Sequence, residues 1–302
     1  MILLLQNHNS VLGVIRLIIN KNRALLLLII CIIGVSALLI IFKAQTYYKL
    51  LKLNLEGKKY DLYYSPTQLY VDYNGTQYSL TADKNDEFID LTTGDIDSDG
   101  KDEILILVGD KGSTYGNELV IYDFLIGSNR VQIEEIYRND ISGVRPWKIK
   151  TCEIDNDGQP EIFIAVNKST YYYPEVENRP FFFNFKNDML VKKWTGSKLR
   201  APFTDVYFAD LNSNGSDELI VIEEADSEGF VIAVYYWFGF GFILQAESFA
   251  YDAIGSVSII KSKKGIFLET EVKKDDQTRI VILEPSTGKT KNGIYLLKER
   301  RK

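Results

Sequence analysis

The sequence predicts an all-β protein of repeated four-stranded antiparallel units, preceded by one N-terminal transmembrane helix. Three observations lead there. An acidic stretch recurs at 95–103, 153–161 and 210–218, its first positions 58 and then 57 residues apart. Each copy runs straight into an apolar run, Ile104–Val108, Ile162–Val166 and Leu219–Ile222. Residues 24–42 form an uncharged apolar stretch of a different kind. A fixed period of this length marks stacked supersecondary units, each too small to bury its own apolar face.

In chain order, residues 1–23 are a tail, and Ala24 to Phe42 is an uncharged 19-residue run. As a helix that run spans roughly 28 Å, enough for a bilayer core. It is longer than a usual signal-peptide apolar region, and Ala-Gln-Thr-Tyr-Tyr after it is a poor cleavage site, so an uncleaved single-pass anchor is expected. Arg16, Lys21 and Arg23 precede the run while Lys43, Lys49, Lys52, Lys58 and Lys59 follow it, so basic residues do not orient it. The large C-terminal domain is placed outside the cell membrane on the strength of its acidic stretches. Residues 43–84 are a linker and N-terminal strands, with Asn74-Gly75 as a hairpin turn.

Residues 85–302 divide into four units, about 85–140, 141–199, 200–252 and 253–302. In the first, Glu87–Thr93, Glu103–Val108, Glu118–Ile126 and Arg130–Tyr137 read as a meander of four strands. The second and third repeat it. The fourth keeps the meander but replaces the acidic stretch by Ser262-Lys263-Lys264-Gly265. Four-stranded units of this size suggest a small β-propeller of four or five blades, with the N-terminal strands as a further blade or as the piece that closes the ring. An open row would expose apolar edges, so closure is expected.

The acidic stretches carry the chemistry. Oxygen donors at positions 1, 3 and 5, with a glycine at 6, let a short backbone curl around a hard cation, and position 7 can add its carbonyl. The first copy offers Asp95, Asp97, Asp99, Lys101 and Glu103. The second offers Glu153, Asp155, Asp157, Gln159 and Glu161, and the third Asp210, Asn212, Asn214, Ser216 and Glu218. Such oxygen sets suit Ca²⁺ better than Mg²⁺, and the absence of His or Cys disfavours zinc or copper. With amides at Asn212 and Asn214, the third loop is expected to bind most weakly. The bland alternative is three polar turns, and three copies in one register weigh against it.

The first copy follows D-h-D-x-D-G-x-x-E-h-h, with close variants in the other two. It resembles the FG-GAP/VCBS-type repeats of integrin alpha-chain propellers and many bacterial surface proteins. That resemblance implies a β-propeller whose blades hold Ca²⁺ in the hairpin between their first two strands. It implies no single function.

Composition narrows the rest. The first 43 residues hold four of the 35 basic residues and none of the 41 acidic ones, leaving 31 against 41 in the remainder. That acidity speaks against nucleic acid. The one histidine, His8, lies ahead of the apolar run, so no histidine-based catalysis is available in the large domain. Cys31 and Cys152 make no plausible intramolecular pair, which suits a bacterial envelope protein. Phe181–Phe183 and Tyr235–Phe238 fall on strands and read as core, whereas Tyr171–Tyr173 lie in a long loop and leave an exposed binding surface open. The expectation is a membrane-anchored, calcium-stabilised, non-enzymatic module that binds a protein or glycan at the cell surface. The alternatives are an envelope carbohydrate-active enzyme and a structural subunit of a membrane complex.

Overall fold

The computed structural model describes residues 49–300 apart from 127–130, 226–228 and 264. The first sheet is β1 (Lys49–Leu55), β2 (Lys58–Tyr64), β3 (Gln68–Tyr73) and β4 (Thr76–Thr81). The second is β5 (Asp86–Gly94), β6 (Glu103–Asp110), β7 (Glu118–Ile126) and β8 (Val131–Asp140). The third is β9 (Pro146–Cys152), β10 (Glu161–Lys168), β11 (Glu177–Lys186) and β12 (Met189–Trp194). Each is an antiparallel meander in sequence order.

The last two units merge. They comprise β13 (Phe203–Ala209), β14 (Glu218–Glu224), β15 (Phe230–Trp237) and β16 (Phe242–Ser248), then β17 (Ala253–Ser262), β18 (Gly265–Lys274), β19 (Gln277–Lys289) and β20 (Tyr295–Glu299). Strand β16 pairs with β20 in parallel, Ala246 opposite Tyr295 and Ser248 opposite Leu297. One eight-stranded sheet results, and it folds over until its end strands β13 and β17 approach, close to a barrel.

The apolar runs are explained by burial on both faces. Successive side chains of a strand point to opposite sides. On β6, Ile104 and Ile106 pack with Leu53, Leu62 and Leu91, while Leu105 and Leu107 pack with Ile149, Ile162 and Ile164 of the third sheet. Strand β10 repeats this: Phe163 and Ala165 turn the other way, toward Val206, Leu219 and Val221. On β14, Ile220 and Ile222 face Leu268, Val281 and Leu283 inside the eight-stranded sheet. A strand with two buried faces reads as a continuous apolar run.

The end units differ. On β1, Leu51, Leu53 and Leu55 turn inward while Leu50, Lys52 and Asn54 face out. On β18, Leu268, Thr270 and Val272 are buried, whereas Glu271 and Lys273 are exposed. Polar outer faces of this kind cap stacked arrays.

The expected ring of separate blades is therefore corrected. Among the described residues the core divides into four apolar clusters, each between consecutive units, and none joins the first unit to the last. A closed ring of five units would need a fifth. The N-terminal strands form a complete sheet of their own, and the last unit bonds edge to edge with its predecessor instead of standing as a separate blade.

The expected membrane anchor is corrected as well. Its span, 24–42, lies outside the described residues, as does the tail at 1–23. Among the described residues no helix is long and apolar enough to cross a membrane. The described residues therefore give no support to the single-pass assignment or to the membrane location drawn from it.

Candidate metal centres in the repeated loops

The three acidic loops are the β5–β6, β9–β10 and β13–β14 hairpins. In all three, the residue before the loop pairs with the loop's final glutamate: Gly94 with Glu103, Cys152 with Glu161, Ala209 with Glu218. A small residue is required there. A Cβ on Gly94 would come within 2.6 Å of the Thr151 side chain on the neighbouring sheet. Cys152 fills the same position as a buried thiol, whose pKa burial pushes well up, so it is packing and not a nucleophile.

Loop backbones match residue for residue. Positions 4 and 6 are left-handed throughout: Ser98 and Gly100, Asn156 and Gly158, Ser213 and Gly215. This curl turns the amide of position 6 onto the side chain of position 1, Gly100 to Asp95 at 3.0 Å, Gly158 to Glu153 at 3.1 Å and Gly215 to Asp210 at 2.9 Å. The longer Glu153 thus makes the same contact as the two aspartates. The amide of position 7 donates to position 5, Lys101 to Asp99, Gln159 to Asp157 and Ser216 to Asn214, all at 2.8–2.9 Å. The amide of position 2 donates to the final glutamate, Ile96 to Glu103, Ile154 to Glu161 and Leu211 to Glu218, at 2.8–3.0 Å.

Two of the loops gather carboxylates closely enough to hold a metal ion. Asp95, Asp97 and Asp99 each bring an oxygen within 4.8 Å of the others, and so do Glu153, Asp155 and Glu161. Asp95 Oδ1, Glu153 Oε1 and Asp155 Oδ1 are buried with no hydrogen-bond donor. A carboxylate oxygen shielded from water without a donor is costly unless a cation meets it. Burial accordingly raises the pKa values of Asp97 and Glu153, helped by neighbouring carboxylates. The third loop forms no such cluster among the described residues. Its Glu218 instead accepts from the Asn212 side chain.

Beyond the shared backbone the loops diverge. In the first, burial pushes the Glu103 carboxyl up to about 8, and among the described residues its side chain accepts only the Ile96 amide. In the second, Glu161 is fully buried and accepts from Asn184 Nδ2 at 3.0 Å and from the Lys193 ammonium, which also lies 2.6 Å from Asp155. The side chains of position 7 are engaged beside the loop: Lys101 pairs with Asp99 at 2.7 Å and Asp123 at 3.5 Å, and Gln159 donates to Phe185 O.

Lys193, Asn184 and Asp123 were not visible in the loop pattern, because they reach it across the sheet from β12, β11 and β7. Position 8 carries a signal of its own in the sequence, an aspartate in the first and third loops. Asp102 accepts from the Asn54 amide at 2.7 Å and Asp217 from the Glu153 amide at 3.0 Å, each carboxylate clamping the preceding unit. Pro160 has no amide or carboxylate to do this, and Ser98 donates across to Gly158 O instead. A cleft of about 360 Å³ opens between the second and third loops, lined by Asp155, Asn214, Asp217, Glu218 and Trp237.

Neither the family models nor the curated proteins contain a match to this chain. The likeness to FG-GAP/VCBS-type repeats therefore rests on the loop residues alone.

Proposed function

We propose that the chain is a non-enzymatic binding module whose acidic loops are held in shape by Ca²⁺, presenting its surface to a protein or glycan partner. One observation carries the reading: two loops with the same hydrogen-bond scheme leave carboxylate oxygens of Asp95, Glu153 and Asp155 buried and without donors. The atoms offered are all oxygens, the set a calcium ion accepts. Asp95, Asp97 and Asp99 would hold it in the first loop and Glu153, Asp155 and Glu161 in the second, with Asp210 and Glu218 a weak third set. The ion's part is structural, since the loops join strands that carry the core.

Thermal unfolding of the purified chain, with calcium and with excess chelator, tests this. A site at 100 times its Kd adds about 2.7 kcal/mol, a shift of roughly 2–4 °C per kcal/mol in a domain of this size. Asp97→Ala and Asp155→Ala should each reduce the shift. An unchanged midpoint, with no metal retained on the purified protein, would leave the loops as polar turns.

A further inference from the structure

The opposite end of the molecule from the acidic loops holds a second, differently built cavity. About 470 Å³ opens between the second and third sheets, within the range of small-molecule pockets. Its floor is apolar: Ile164, Val166, Phe181 and Phe183. Its rim carries Lys168 and Lys192 and no carboxylate. Neither ammonium makes an ion pair among the described residues; Lys192 is exposed, and Lys168 is half-buried in a chain where other half-buried lysines are paired.

The lip of the cavity is a built structure. Arg179 is fully buried, and its guanidinium donates to the carbonyls of Lys168 at 2.8 Å, Tyr173 at 3.2 Å and Glu175 at 3.0 Å. Thr170 and Tyr173 exchange backbone hydrogen bonds at 2.8 and 3.1 Å, closing a tight turn. That turn holds Tyr171 at the cavity edge, 93% exposed, and leaves Thr170 Oγ1 buried with no partner. A buried hydroxyl without a partner costs free energy that a ligand's acceptor would recover. An exposed tyrosine on a pinned loop supplies contact area at little entropic cost.

We propose that this cavity binds a small amphipathic carboxylate, a medium-chain acyl or single-ring acid. Its apolar body lies on Phe181 and Phe183, and its head group meets Lys168, Lys192 and Thr170. The site is independent of the calcium reading, so it is tested in chelator, where failure of one leaves the other intact. Anilinonaphthalene sulfonate serves as the fluorescent probe and decanoate as the competitor, with decanol and decylamine as head-group controls.

Saturable probe binding, displaced by decanoate at least tenfold better than by decylamine or decanol, is the expected result. Lys168→Glu and Lys192→Glu should each weaken decanoate roughly tenfold, the scale of one charge-assisted contact, without moving the unfolding midpoint. Tyr171→Ala, at a fully exposed side chain, should weaken it less. No saturable binding would overturn the proposal. So would equal displacement by all three competitors, unchanged affinity in both lysine variants, or displacement by an acidic oligosaccharide alone.

Discussion

The first and second loops share a backbone, a register and four carboxylates at positions 1, 3, 5 and 9, yet they meet one electrostatic problem in opposite ways. Each buries its final glutamate where a strand begins. Glu161 is answered from within the protein by the Lys193 ammonium and Asn184. Glu103 receives one backbone amide and sits among Asp97, Asp99 and Asp123, whose charges add to burial in raising its pKa. A loop pattern therefore specifies where oxygens go, while the neighbouring strand decides how much positive charge is still wanted. By this comparison the first loop has the greater need of an external cation. In the second, the internal Lys193 already bridges two of the three clustered carboxylates, Asp155 and Glu161, whereas Lys101 in the first pairs with one of its three, Asp99.

The sharpest way to break this comparison is to remove the internal cation. Lys193→Gln leaves Glu161 buried without its counter-charge, and breaking a buried pair from one side costs about 3–5 kcal/mol. In chelator the variant should unfold at markedly lower denaturant. Added calcium should then restore more stability than it adds to the parent protein, because the second loop no longer competes with its own lysine. A loss under 1 kcal/mol, with an unaltered calcium response, would show that Lys193 is not the counter-charge.

A somewhat smaller effect separates the loops by pH. The Glu103 carboxyl is raised from 4.5 to about 8 in the folded protein. Below pH 4.5 it is protonated both folded and unfolded, and no penalty arises. As pH rises through the window from 4.5 to 8, the unfolded chain ionises freely while the folded loop holds its proton. Stability is therefore lost across that window and is level above it. At about 1.4 kcal/mol per unit, reduced for the loop's access to solvent, the loss is roughly 3 kcal/mol in chelator. Urea unfolding at pH 4.5, 6 and 8, against Glu103→Gln, isolates it. The variant should lack this component, and calcium should flatten the slope of the parent by favouring the ionised form. Equal slopes in both proteins would mean that Glu103 finds a counter-charge in solution.

Much of the fold was legible because its signals are local. The alternation on β1 and β18 and the unbroken apolar runs of β6, β10 and β14 distinguish capped from doubly buried strands, and the limits of β5 to β8 fall within three residues of those read from the sequence. What was not legible is where units meet. The parallel pairing of β16 with β20 is between strands with no shared pattern, and an open row cannot be told from a ring when every unit looks alike. The candidate site divides the same way. Spacing announced Asp95, Asp97 and Asp99, whereas Lys193 lies 32 residues beyond Glu161 and is brought to it only by the hairpin of β11 and β12.

The smallest effect asks whether the loops are mechanically joined. Gly158 and Gly215 occupy the same left-handed position, at φ +81° and +91°. A Cβ at Gly158 would meet nothing, so Gly158→Ala should cost only the left-handed strain, about 1–2 kcal/mol. A Cβ at Gly215 would come within 2.8 Å of Asn156 Oδ1 in the second loop. Gly215→Ala must therefore also move Asn156 and sacrifice its 3.4 Å hydrogen bond to Asn214 O, adding about 0.5–1.5 kcal/mol. If the loops are coupled through Asn156, Asn156→Ala should erase that increment, leaving the two glycine substitutions equal in cost. Equal costs in the presence of Asn156 would make the loops independent, each answering only to the strand beneath it.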